Sequence, residues 1–400
     1  MREIRKIVLA YSGGLDTSVI LCWLKEKYGA EIITYTANLG QSQSLDFIKE
    51  KAERTGAAKA YIEDLREEFC EKYVLPALQA GALYEEKYPL ATALGRPLIA
   101  KGLVRLAEKE GAEAIAHGCS GKGNDQVRFE VTARALNPEI IILAPLREWE
   151  LSSREEEIRY ARARNIPVGV SEDSPYSIDR NLWGVSIECG ILEDAWREPP
   201  AGAYQITRPP QKAPDKPTYS EIELKEGVPS KLNGKAYGLV NLIEELNAVG
   251  GVNGIGRIDM VEDRVVGIKS REIYEAPAAV ILHSAHRELE KLTLDRETLH
   301  FKETIAQKYS ELVYNGLWYS PLRKALDGFV CQIQKAVSGQ VKLRLYKGSC
   351  EVVGRRSPYS LYDRDLATYG KESAFNQKAA PGFIHIWGLP LRTMGKIRKK

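Results

Sequence analysis

A short apolar run, residues 7–10, leads into a loop of glycines, hydroxyl groups and one acid that reads Ser12-Gly13-Gly14-Leu15-Asp16-Thr17-Ser18. Apolar residues recur at helical spacing behind the loop, so the pattern predicts a buried parallel strand, a tight turn and a helix. Glycine lets the backbone approach a ligand closely. The turn amides, the hydroxyls of Ser12, Thr17 and Ser18 and the positive end of the helix dipole converge on one point. Such a turn binds an anion, and a phosphate group is its natural occupant.

Residues 12–18, hereafter the phosphate loop, match neither a Walker A motif, since no lysine follows the last glycine, nor the dinucleotide pattern GxGxxG. Two adjacent glycines alone are equally consistent with a tight turn that only packs a helix on a sheet. Ser12 before the glycines and Asp16, Thr17 and Ser18 after them favour the phosphate site. The run resembles the signature of the PP-loop ATP pyrophosphatases, a superfamily that cleaves ATP between its α- and β-phosphates and adenylates a substrate oxygen.

A second loop, residues 117–128, combines glycines with both signs of charge in the order His117-Gly118-Cys119-Ser120-Gly121-Lys122-Gly123-Asn124-Asp125-Gln126-Val127-Arg128. This charged loop follows an apolar strand pattern and precedes a helical one, so it should lie at the same sheet edge as the phosphate loop. Its exposed amides and its Ser120, Asp125 and Arg128 side chains suit a zwitterionic ligand. The alternative is a flexible surface loop. Asn124 and Arg128 are four residues apart and share one face of the predicted helix.

Strand and helix patterns alternate through the first part of the chain, which is typical of a parallel sheet covered by helices on both faces. The predicted strands are residues 7–10, 31–37, 59–62, 113–116 and 140–144, and the predicted helices follow the phosphate loop and occupy residues 45–55, 69–78, 97–110 and 154–164. Ligands bind at the carboxyl ends of the strands in such sheets. We therefore expect an α/β fold in which the loops after Ala10, Ala37 and His117 meet in one crevice.

The pattern changes after residue 168. Six of the 19 prolines fall between residues 199 and 217, which indicates an extended connection rather than a helix or a central strand. Beyond this connection the sequence predicts a separate α+β domain, in chain order a strand at 219–224, a turn at Asn233-Gly234, a helix at 239–249, a hairpin across Glu262-Asp263, helices within 279–336 and a hairpin of 341–346 with 350–355. Residues 360–400 have no periodic core of their own, and we expect them to reach onto another subunit.

Composition and charge exclude several classes of protein. The 400 residues are 44% hydrophobic and 28% charged, which is ordinary for a folded protein, and the length favours two domains. A net charge of +3 is too small to indicate a surface that binds nucleic acid. The basic residues at 396–400 are better explained as a solvated, frayed terminus. No apolar run approaches the roughly 20 residues that a bilayer requires, so we expect no membrane partner and a cytoplasmic protein.

The six cysteines are scattered without a CxxC pair, which predicts reduced and mostly buried thiols. This separates the chain from the PP-loop relatives that thiolate tRNA, because those generally use cysteine pairs. Two other classes stay open at this point. One is an amidating ligase, although the sequence shows no glutaminase domain or nucleophilic-cysteine motif, and the other is a nucleotide-binding or RNA-associated protein without catalysis.

Five further segments make the resemblance specific. They read Ala37-Asn38-Leu39-Gly40-Gln41, Gly121-Lys122-Gly123-Asn124-Asp125-Gln126-Val127-Arg128-Phe129-Glu130, Pro175-Tyr176-Ser177-Ile178-Asp179-Arg180-Asn181-Leu182, Ser186-Ile187-Glu188-Cys189-Gly190 and Lys269-Ser270-Arg271-Glu272-Ile273-Tyr274-Glu275. Together with the phosphate loop, in this order, they resemble the argininosuccinate synthase family over nearly the whole chain. The resemblance implies condensation of L-citrulline with L-aspartate to argininosuccinate, a step of arginine biosynthesis, with release of AMP and pyrophosphate through a citrullyl-adenylate. It also implies ATP and Mg²⁺ as cofactors, no nucleic-acid partner, and a homotetramer.

The resemblance divides the chain into three parts. Residues 1–168 correspond to an ATP-binding PP-loop domain, residues 169–360 to a synthetase and multimerisation domain, and residues 361–400 to a C-terminal oligomerisation arm. The expected fold class is therefore α/β in the first part and α+β in the second.

Site residues carry over from the family position by position. The ATP site falls on Ala10, Tyr11, Ser12, Gly13, Gly14, Leu15, Asp16, Thr17, Ser18, Ala37 and Gly118. The aspartate site falls on Ser120, Asn124 and Asp125, where Ser120 replaces the more usual threonine. The citrulline site falls on Tyr88, Thr92, Asn124, Arg128, Ser177, Ser186, Glu262 and Tyr274. Ser12, Asp16, Asn124 and Asp125 are the candidate catalytic residues, whereas the sequence does not identify the ligands of the metal ion.

The assigned side chains have charges opposite to those of citrulline. Arg128 can bind its carboxylate through two hydrogen bonds, and Glu262 can bind its α-ammonium group. Three positions depart from the family pattern: Ala93 stands where serine is common, and Ala276 and Ala278 replace the usual threonine and glycine. The missing hydroxyl at Ala93 removes a hydrogen bond worth about 0.5 to 1.5 kcal/mol, so we expect a raised citrulline requirement rather than lost activity. Asp16 and Tyr88 also have simpler explanations, a helix cap and a partly buried aromatic ring.

Overall fold

The structure is a computed structural model and describes residues 4–151, 153–167, 176–370 and 372–399. The predicted boundary between residues 168 and 169 lies outside the described residues, and the division of the chain at 168 and 360 stays a prediction. Pro175, the first residue of one family segment, also lies outside them.

Parallel strands form the N-terminal sheet: β1 (Lys6–Ala10), β2 (Glu31–Asn38), β3 (Lys59–Asp64), β4 (Ala114–Ala116) and β5 (Ile141–Leu143). Their order is β3-β2-β1-β4-β5, and every neighbouring pair is parallel, which confirms the predicted sheet. The order of the strands along the chain reverses between β1 and β4. The crevice outside the carboxyl ends of the strands at such a switch point is where ligands bind.

Helices lie on both faces of this sheet: α1 (Leu15–Tyr28), α2 (Leu45–Thr55), α5 (Ala91–Glu110), α6 (Asp125–Leu136) and α7 (Arg154–Ala163). Two short helices, α3 (Arg66–Phe69) and α4 (Leu75–Ala80), pack instead with helices of the second part. Side chains of β1 alternate between the faces, since Leu9 packs in one apolar layer with residues of α1 while Val8 packs in the other with residues of α5. A π-helical turn joins α3 to α4. The helix predicted at 97–110 begins at Ala91, because Pro97 stands inside the helix rather than at its start.

The second part is antiparallel, with β6 (Ser177–Asn181), β7 (Gly184–Glu188), β8 (Thr218–Lys225), β9 (Val228–Leu232), β10 (Lys235–Ala236), β11 (Arg257–Asp263), β12 (Lys269–Glu275), β13 (Gly339–Tyr346) and β14 (Ser349–Arg356). One sheet has the order β11-β12-β7-β6 and the other β10-β9-β8-β13-β14. The helices are α8 (Leu239–Val252), α9 (Pro277–Thr293), α10 (Arg296–Tyr314) and α11 (Pro321–Gln334). This arrangement confirms the predicted α+β character.

The hairpin predicted across Glu262-Asp263 is wrong in its position. Both residues belong to β11, and the turn to β12 occupies residues 264–268. Met260 and Glu262 are buried whereas Val261 is exposed, so β11 alternates as a strand should, but with an acidic residue on its inner face. Two adjacent acidic residues between strand-like segments are typical of a turn, which is why the sequence predicts one there. The burial of the Glu262 carboxylate depends on partners from other elements and could not be predicted locally.

The last helices are α12 (Arg364–Ala367), α13 (Ala380–Trp387) and α14 (Leu389–Ile397). No residue of α13 or α14 is buried, and Phe383, Trp387 and Leu391 are 63%, 70% and 73% exposed. Within the described ranges, no helix is both long enough and apolar enough to cross a membrane.

All six cysteines are free. The expectation that most are buried is wrong, since only Cys70 is fully buried whereas Cys189 and Cys331 are exposed. Burial is predicted from the periodicity of apolar residues along one helix or strand. The cysteines lie far apart in sequence, so their spacing forms no such pattern.

A buried ion pair links α9 to α10, and it gives a prediction about stability. Lys302 Nζ lies 2.6 Å from Glu290 Oε2, and both side chains are almost completely buried. Replacing Glu290 by leucine should lower the free energy of unfolding by about 3 to 5 kcal/mol, because it leaves the lysine buried without its partner. Urea denaturation measures this change.

The double variant Glu290→Leu/Lys302→Met should recover most of that loss, since it leaves no unpaired charge. Glu297→Leu is the matched control, because Glu297 forms an exposed ion pair with Arg296 on the same helix and should change stability by less than about 1 kcal/mol. Equal losses in the single and double variants would show that the unpaired charge is not the cause.

Candidate active site

The phosphate loop adopts the predicted strand, turn and helix. β1 ends at Ala10, Gly13 has a φ of +79°, and α1 begins at Leu15 after Gly14, whose position lacks a capping side chain. Because no side chain of the described residues caps α1, the amides of its first turn can bind an anion. Asp16 lies in that first turn without capping it. The structure therefore shows no capping hydrogen bond from Asp16, but its charge does lie in the first turn, where it favours the helix dipole.

The hydroxyl groups of the phosphate loop divide into two sets. Ser12 Oγ is exposed, lies 3.2 Å from Thr17 Oγ1 and accepts a hydrogen bond from the Gly14 amide at 3.3 Å. Ser18 is buried, donates to the Gly14 carbonyl at 2.7 Å and lies 2.9 Å from the Tyr11 hydroxyl. Ser12 and Thr17 therefore face the crevice, whereas the Ser18 hydroxyl holds the loop from behind rather than converging on the same point.

Two side chains that the sequence analysis missed also contact this region. Lys51 of α2 is 6% exposed, and its Nζ donates to the Gly13 carbonyl at 2.8 Å. Glu157 of α7 forms a hydrogen bond with Asp16, and burial followed by the Asp16 charge raises the pKa of Glu157 to about 8. Both residues lie more than 30 positions from the loop in sequence, so no local pattern could reveal them.

The loops after β1, β2 and β4 meet as predicted. A Cβ built on Gly118 would lie 3.4 Å from Thr17 Cγ2 and 2.9 Å from a methyl group of Ile20, so the charged loop closely approaches the start of α1. Thr36, next to Ala37 at the end of β2, donates to the Tyr11 carbonyl at 2.7 Å. The residues assigned to ATP thus share one crevice.

The charged loop ends in an ion-pair network at the start of α6. Asp125 accepts hydrogen bonds from Arg96 Nε and Arg128 Nη1, both at 2.9 Å. Burial alone would raise the pKa of Asp125, but the two guanidinium groups hold it below its usual value. Arg96 also pairs with Asp179 of β6, which joins the two parts of the chain. The sequence analysis missed Arg96.

Arg128 has one unused donor. Its Nη1 donates to Asp125 and its Nε donates to the Tyr314 carbonyl at 2.9 Å. Its Nη2 is buried and is one of the few buried polar atoms of the described residues without a hydrogen-bond partner. A buried cationic N–H without an acceptor is costly, so this group suits an anionic ligand such as a carboxylate.

A second cluster, on β11 and β12, faces the same space. The Tyr274 hydroxyl lies 2.6 Å from Glu262 Oε2 and 2.8 Å from Glu272 Oε2, and the ring of Tyr88 stacks on Tyr274 at 4.0 Å. Burial, followed by the nearby Glu272 charge, raises the pKa of Glu262 to about 7 against the lowering effect of its tyrosine hydrogen bonds. Glu272 already pairs with Arg264 at 3.0 Å through its other oxygen, so the buried Glu262 carboxyl is the group that suits a cationic ligand such as an ammonium group.

The remaining predicted residues lie at the edges of this cluster. Tyr88 is buried with its hydroxyl 2.6 Å from Thr92 Oγ1, and Ser186 of β7 pairs directly with Tyr274. Ser120 and Ser177 are exposed, and neither side chain contacts the cluster through a hydrogen bond to another described residue.

The three positions that depart from the family pattern have a common feature: Ala93, Ala276 and Ala278 are all buried in the apolar core of the second part. Methyl groups fit an apolar environment without an unsatisfied hydroxyl. Their effect on citrulline binding stays a prediction.

Family models and known proteins match this chain over nearly its whole length. The model of the arginosuccinate synthase N-terminal HUP domain matches residues 6–167, and that of the arginosuccinate synthase C-terminal domain matches residues 176–394. The chain is 58% identical over 392 residues to argininosuccinate synthase of Chlorobium phaeobacteroides, covering 98% of both chains. It is 56% identical over 395 residues to argininosuccinate synthase of Pelotomaculum thermopropionicum, covering 99% of this chain and 98% of that one. The chain belongs to the argininosuccinate synthase family.

Proposed function

We propose that this crevice joins L-citrulline to L-aspartate with ATP, giving argininosuccinate, AMP and pyrophosphate. One observation carries the proposal: in a chain that belongs to the family along its length, the charged loop contacts the start of α1 at Gly118 and reaches Tyr314 and Glu262 through Asn124. An amidating ligase would need an ammonia source, and the sequence shows no glutaminase domain or nucleophilic-cysteine motif. A non-catalytic nucleotide-binding protein would need no subsites for an amino acid.

The reaction requires two displacements. In the first, the ureido oxygen of citrulline attacks the α-phosphorus of ATP, and pyrophosphate leaves. In the second, the amine of aspartate attacks the ureido carbon, and AMP leaves with the former ureido oxygen while the nitrogen loses its extra protons. Holding the three reactants in line contributes about 7 to 11 kcal/mol to lowering the barrier. The protein's main task is therefore orientation and charge stabilisation.

At the phosphate end, the candidate catalytic Ser12 and the amides of Gly13, Gly14 and the first turn of α1 would bind the β- and γ-phosphates. Pre-oriented amides stabilise charge as it develops on the leaving pyrophosphate. Ala10, Tyr11, Ala37 and Gly118 would shape the remaining nucleotide site by their backbone.

Mg²⁺ is part of the proposal. Among the described residues no group of three or more His, Cys, Asp or Glu side chains could hold a metal ion. This fits Mg²⁺, which keeps several waters and binds through one or two carboxylates plus substrate phosphates. Asp16 is the carboxylate on the phosphate loop and would hold the ion. When bound, the ion neutralises charge on the departing pyrophosphate.

At the amino-acid end, Arg128 Nη2 would bind the citrulline carboxylate and Glu262 its α-ammonium group. Asn124 and Asp125, with Ser120, would hold aspartate beside the ureido carbon. Asp125 is ionised because of its two arginines, so it can attract the aspartate ammonium group. Thr92, Ser177 and Ser186 would complete the citrulline site with hydroxyl groups.

The raised pKa of Glu262 predicts a pH dependence. Only ionised Glu262 pairs with the ammonium group of citrulline, and its pKa is about 7 in the free enzyme. The citrulline KM should therefore be constant above about pH 8 and rise about tenfold per unit well below pH 7, since protonation then competes with binding. Initial rates measured at saturating ATP and aspartate test this.

The same titration in the variant Glu262→Gln should give a high citrulline KM with no inflection near pH 7. A wild-type citrulline KM that is flat between pH 5.5 and 8.5 would contradict the assignment of Glu262 to the ammonium group.

We also propose a homotetramer in which residues 361–400 act as the oligomerisation arm. The apolar side chains of α13 and α14 are exposed in the single chain, and contiguous exposed apolar surface of this kind marks protein interfaces. Light scattering on the full chain should give four times 44.7 kDa. A smaller assembly at micromolar concentration would contradict the tetramer.

Pyrophosphate release tests the proposed function. Purified protein with ATP, Mg²⁺, citrulline and aspartate should release pyrophosphate only when citrulline is present. Release with ammonia in place of citrulline would favour an amidating ligase, and release with tRNA would favour an RNA-modifying enzyme. No release under any of these conditions would favour a binding protein.

A further inference from the structure

Helix α10 ends in the candidate citrulline site, at a residue that the sequence analysis did not select. Asn124 Nδ2 donates to the Tyr314 hydroxyl at 2.9 Å, and that hydroxyl donates to Glu262 Oε1. One side chain thus bridges the charged loop and β11. The ring of Tyr314 lies edge-to-face with Tyr88, with the ring centres 6.4 Å apart.

The backbone at the same position contacts Arg128. Its Nε donates to the Tyr314 carbonyl at 2.9 Å, and the guanidinium carbon lies 4.8 Å from the centre of the Tyr314 ring, within cation–π distance. With Nη1 on Asp125, these contacts leave Nη2 as the one nitrogen of this group without an acceptor among the residues that the structure describes. The orientation of the free N–H is therefore set by Tyr314 as well as by Asp125.

Gly316, two residues further on, shows how closely this segment approaches Arg128. Its φ is +74°, and a Cβ built on it would lie 2.9 Å from Arg128 Cα. Any side chain at this position would strain the turn and displace the arginine backbone. The end of α10 is thus built for close contact with α6.

We propose that Tyr314 is a positioning residue for citrulline: its carbonyl and ring orient Arg128, and its hydroxyl holds Asn124 and Glu262 at a fixed separation. The proposal rests on the proposed function, since it takes Arg128 and Glu262 as the groups that bind the two charges of citrulline. Tyr314 contacts four of the assigned residues, Asn124, Glu262, Arg128 and Tyr88, from a helix of the second part. It therefore restricts the distance between the carboxylate and ammonium subsites.

The variant Tyr314→Phe keeps the ring and the carbonyl and removes only the hydroxyl. We expect a citrulline KM roughly tenfold higher, from the lost charge-assisted hydrogen bond, with the ATP KM unchanged. The hydrogen bond from Tyr314 favours the ionised form of Glu262, so its loss should also move the inflection in the citrulline KM to higher pH. A purely structural role would not move that inflection.

Several titratable or charged groups face Glu262. Three secondary-structure elements contribute Glu272 and Tyr274 (β12), Tyr314 (α10) and Arg128 (α6), and the segment before α5 contributes Tyr84 and Tyr88. The tyrosines have raised pKa values and stay neutral across the range of the experiment. Glu272 is the other acidic group in this set, so the titration is repeated in Glu272→Gln. A shift by Tyr314→Phe that persists there belongs to Glu262 and supports the proposal.

Tyr309→Phe is the matched control, because Tyr309 is a buried tyrosine on the same helix whose hydroxyl donates to Asp327 at 2.9 Å, away from the site. It should leave the citrulline KM and its pH inflection unchanged. Gly316→Ala is a second probe, which should raise the citrulline KM through Arg128 without moving the inflection.

Melting temperatures of all variants report folding separately. The proposal is overturned if Tyr314→Phe keeps the wild-type citrulline KM and inflection, or if it raises the KM values of ATP, citrulline and aspartate equally. Citrulline-dependent pyrophosphate release by the wild type tests the proposed function independently, so the failure of one can be told from the failure of the other.

Discussion

Replacing Arg128 by leucine is expected to raise the citrulline KM by about 10- to 150-fold, because it removes the buried N–H group assigned to the citrulline carboxylate, at about 1.5 to 3 kcal/mol for a charged hydrogen bond. The ATP KM should change little, since the phosphate loop lies at the start of α1 whereas Arg128 lies on α6. Steady-state kinetics with each substrate varied in turn measure the separation. A comparable rise in the KM values of citrulline and ATP would contradict this role.

Two further variants sharpen this prediction. Arg128→Lys keeps the charge but not the fork that reaches Asp125, the Tyr314 carbonyl and the ligand together, so it should recover little of the loss. Arg134→Leu is the control, because Arg134 lies on the same helix with its side chain exposed, and it should behave as the wild type. Full recovery by lysine would mean that charge alone, without the geometry, binds citrulline.

Asp125→Asn is expected to raise the aspartate KM by about 10²-fold, because the amide cannot attract the aspartate ammonium group as a buried carboxylate does, a difference of roughly 3 kcal/mol. Citrulline-dependent exchange of labelled pyrophosphate into ATP should fall much less. That exchange needs only the first displacement, and Arg128 stays attached to the Tyr314 carbonyl in the variant.

The comparison variant is Asp179→Asn, which removes the other carboxylate partner of Arg96 but makes no contact that assigns it to aspartate. It should affect the aspartate KM much less than Asp125→Asn does. An equal loss of exchange and of argininosuccinate formation in Asp125→Asn would place Asp125 in the first displacement instead and contradict its assignment to aspartate.

Local patterns predicted the nucleotide part of the fold well. The apolar run at residues 7–10 is a central strand, the glycines after it form the turn, and α2 has the predicted bounds of residues 45–55. These signals are strong because a parallel strand buried on both faces needs a continuous apolar run, and glycine with positive φ is required at the turn. β6 and β7 were not predicted, since β6 is a short, mostly polar strand at the edge of its sheet.

The residues that the sequence analysis missed at the site share one property. Lys51, Arg96 and Tyr314 make their important contacts with residues at least 29 positions away, and each would be read locally as an ordinary helix residue. The same holds for the burial of Glu262, whose partners come from β12 and α10. The resemblance to a family identified Glu262 as a site residue, which periodicity could not do. It did not identify Lys51, Arg96 or Tyr314, which orient the assigned residues.

The central claim is that the ureido oxygen of citrulline attacks the α-phosphorus of ATP. Incubating the protein with ATP, Mg²⁺, aspartate and citrulline labelled with ¹⁸O in the ureido group tests it most directly. We expect the ¹⁸O to appear in the phosphate of AMP, with one labelled oxygen for each argininosuccinate formed. AMP without the label, or ADP as the nucleotide product, would contradict it.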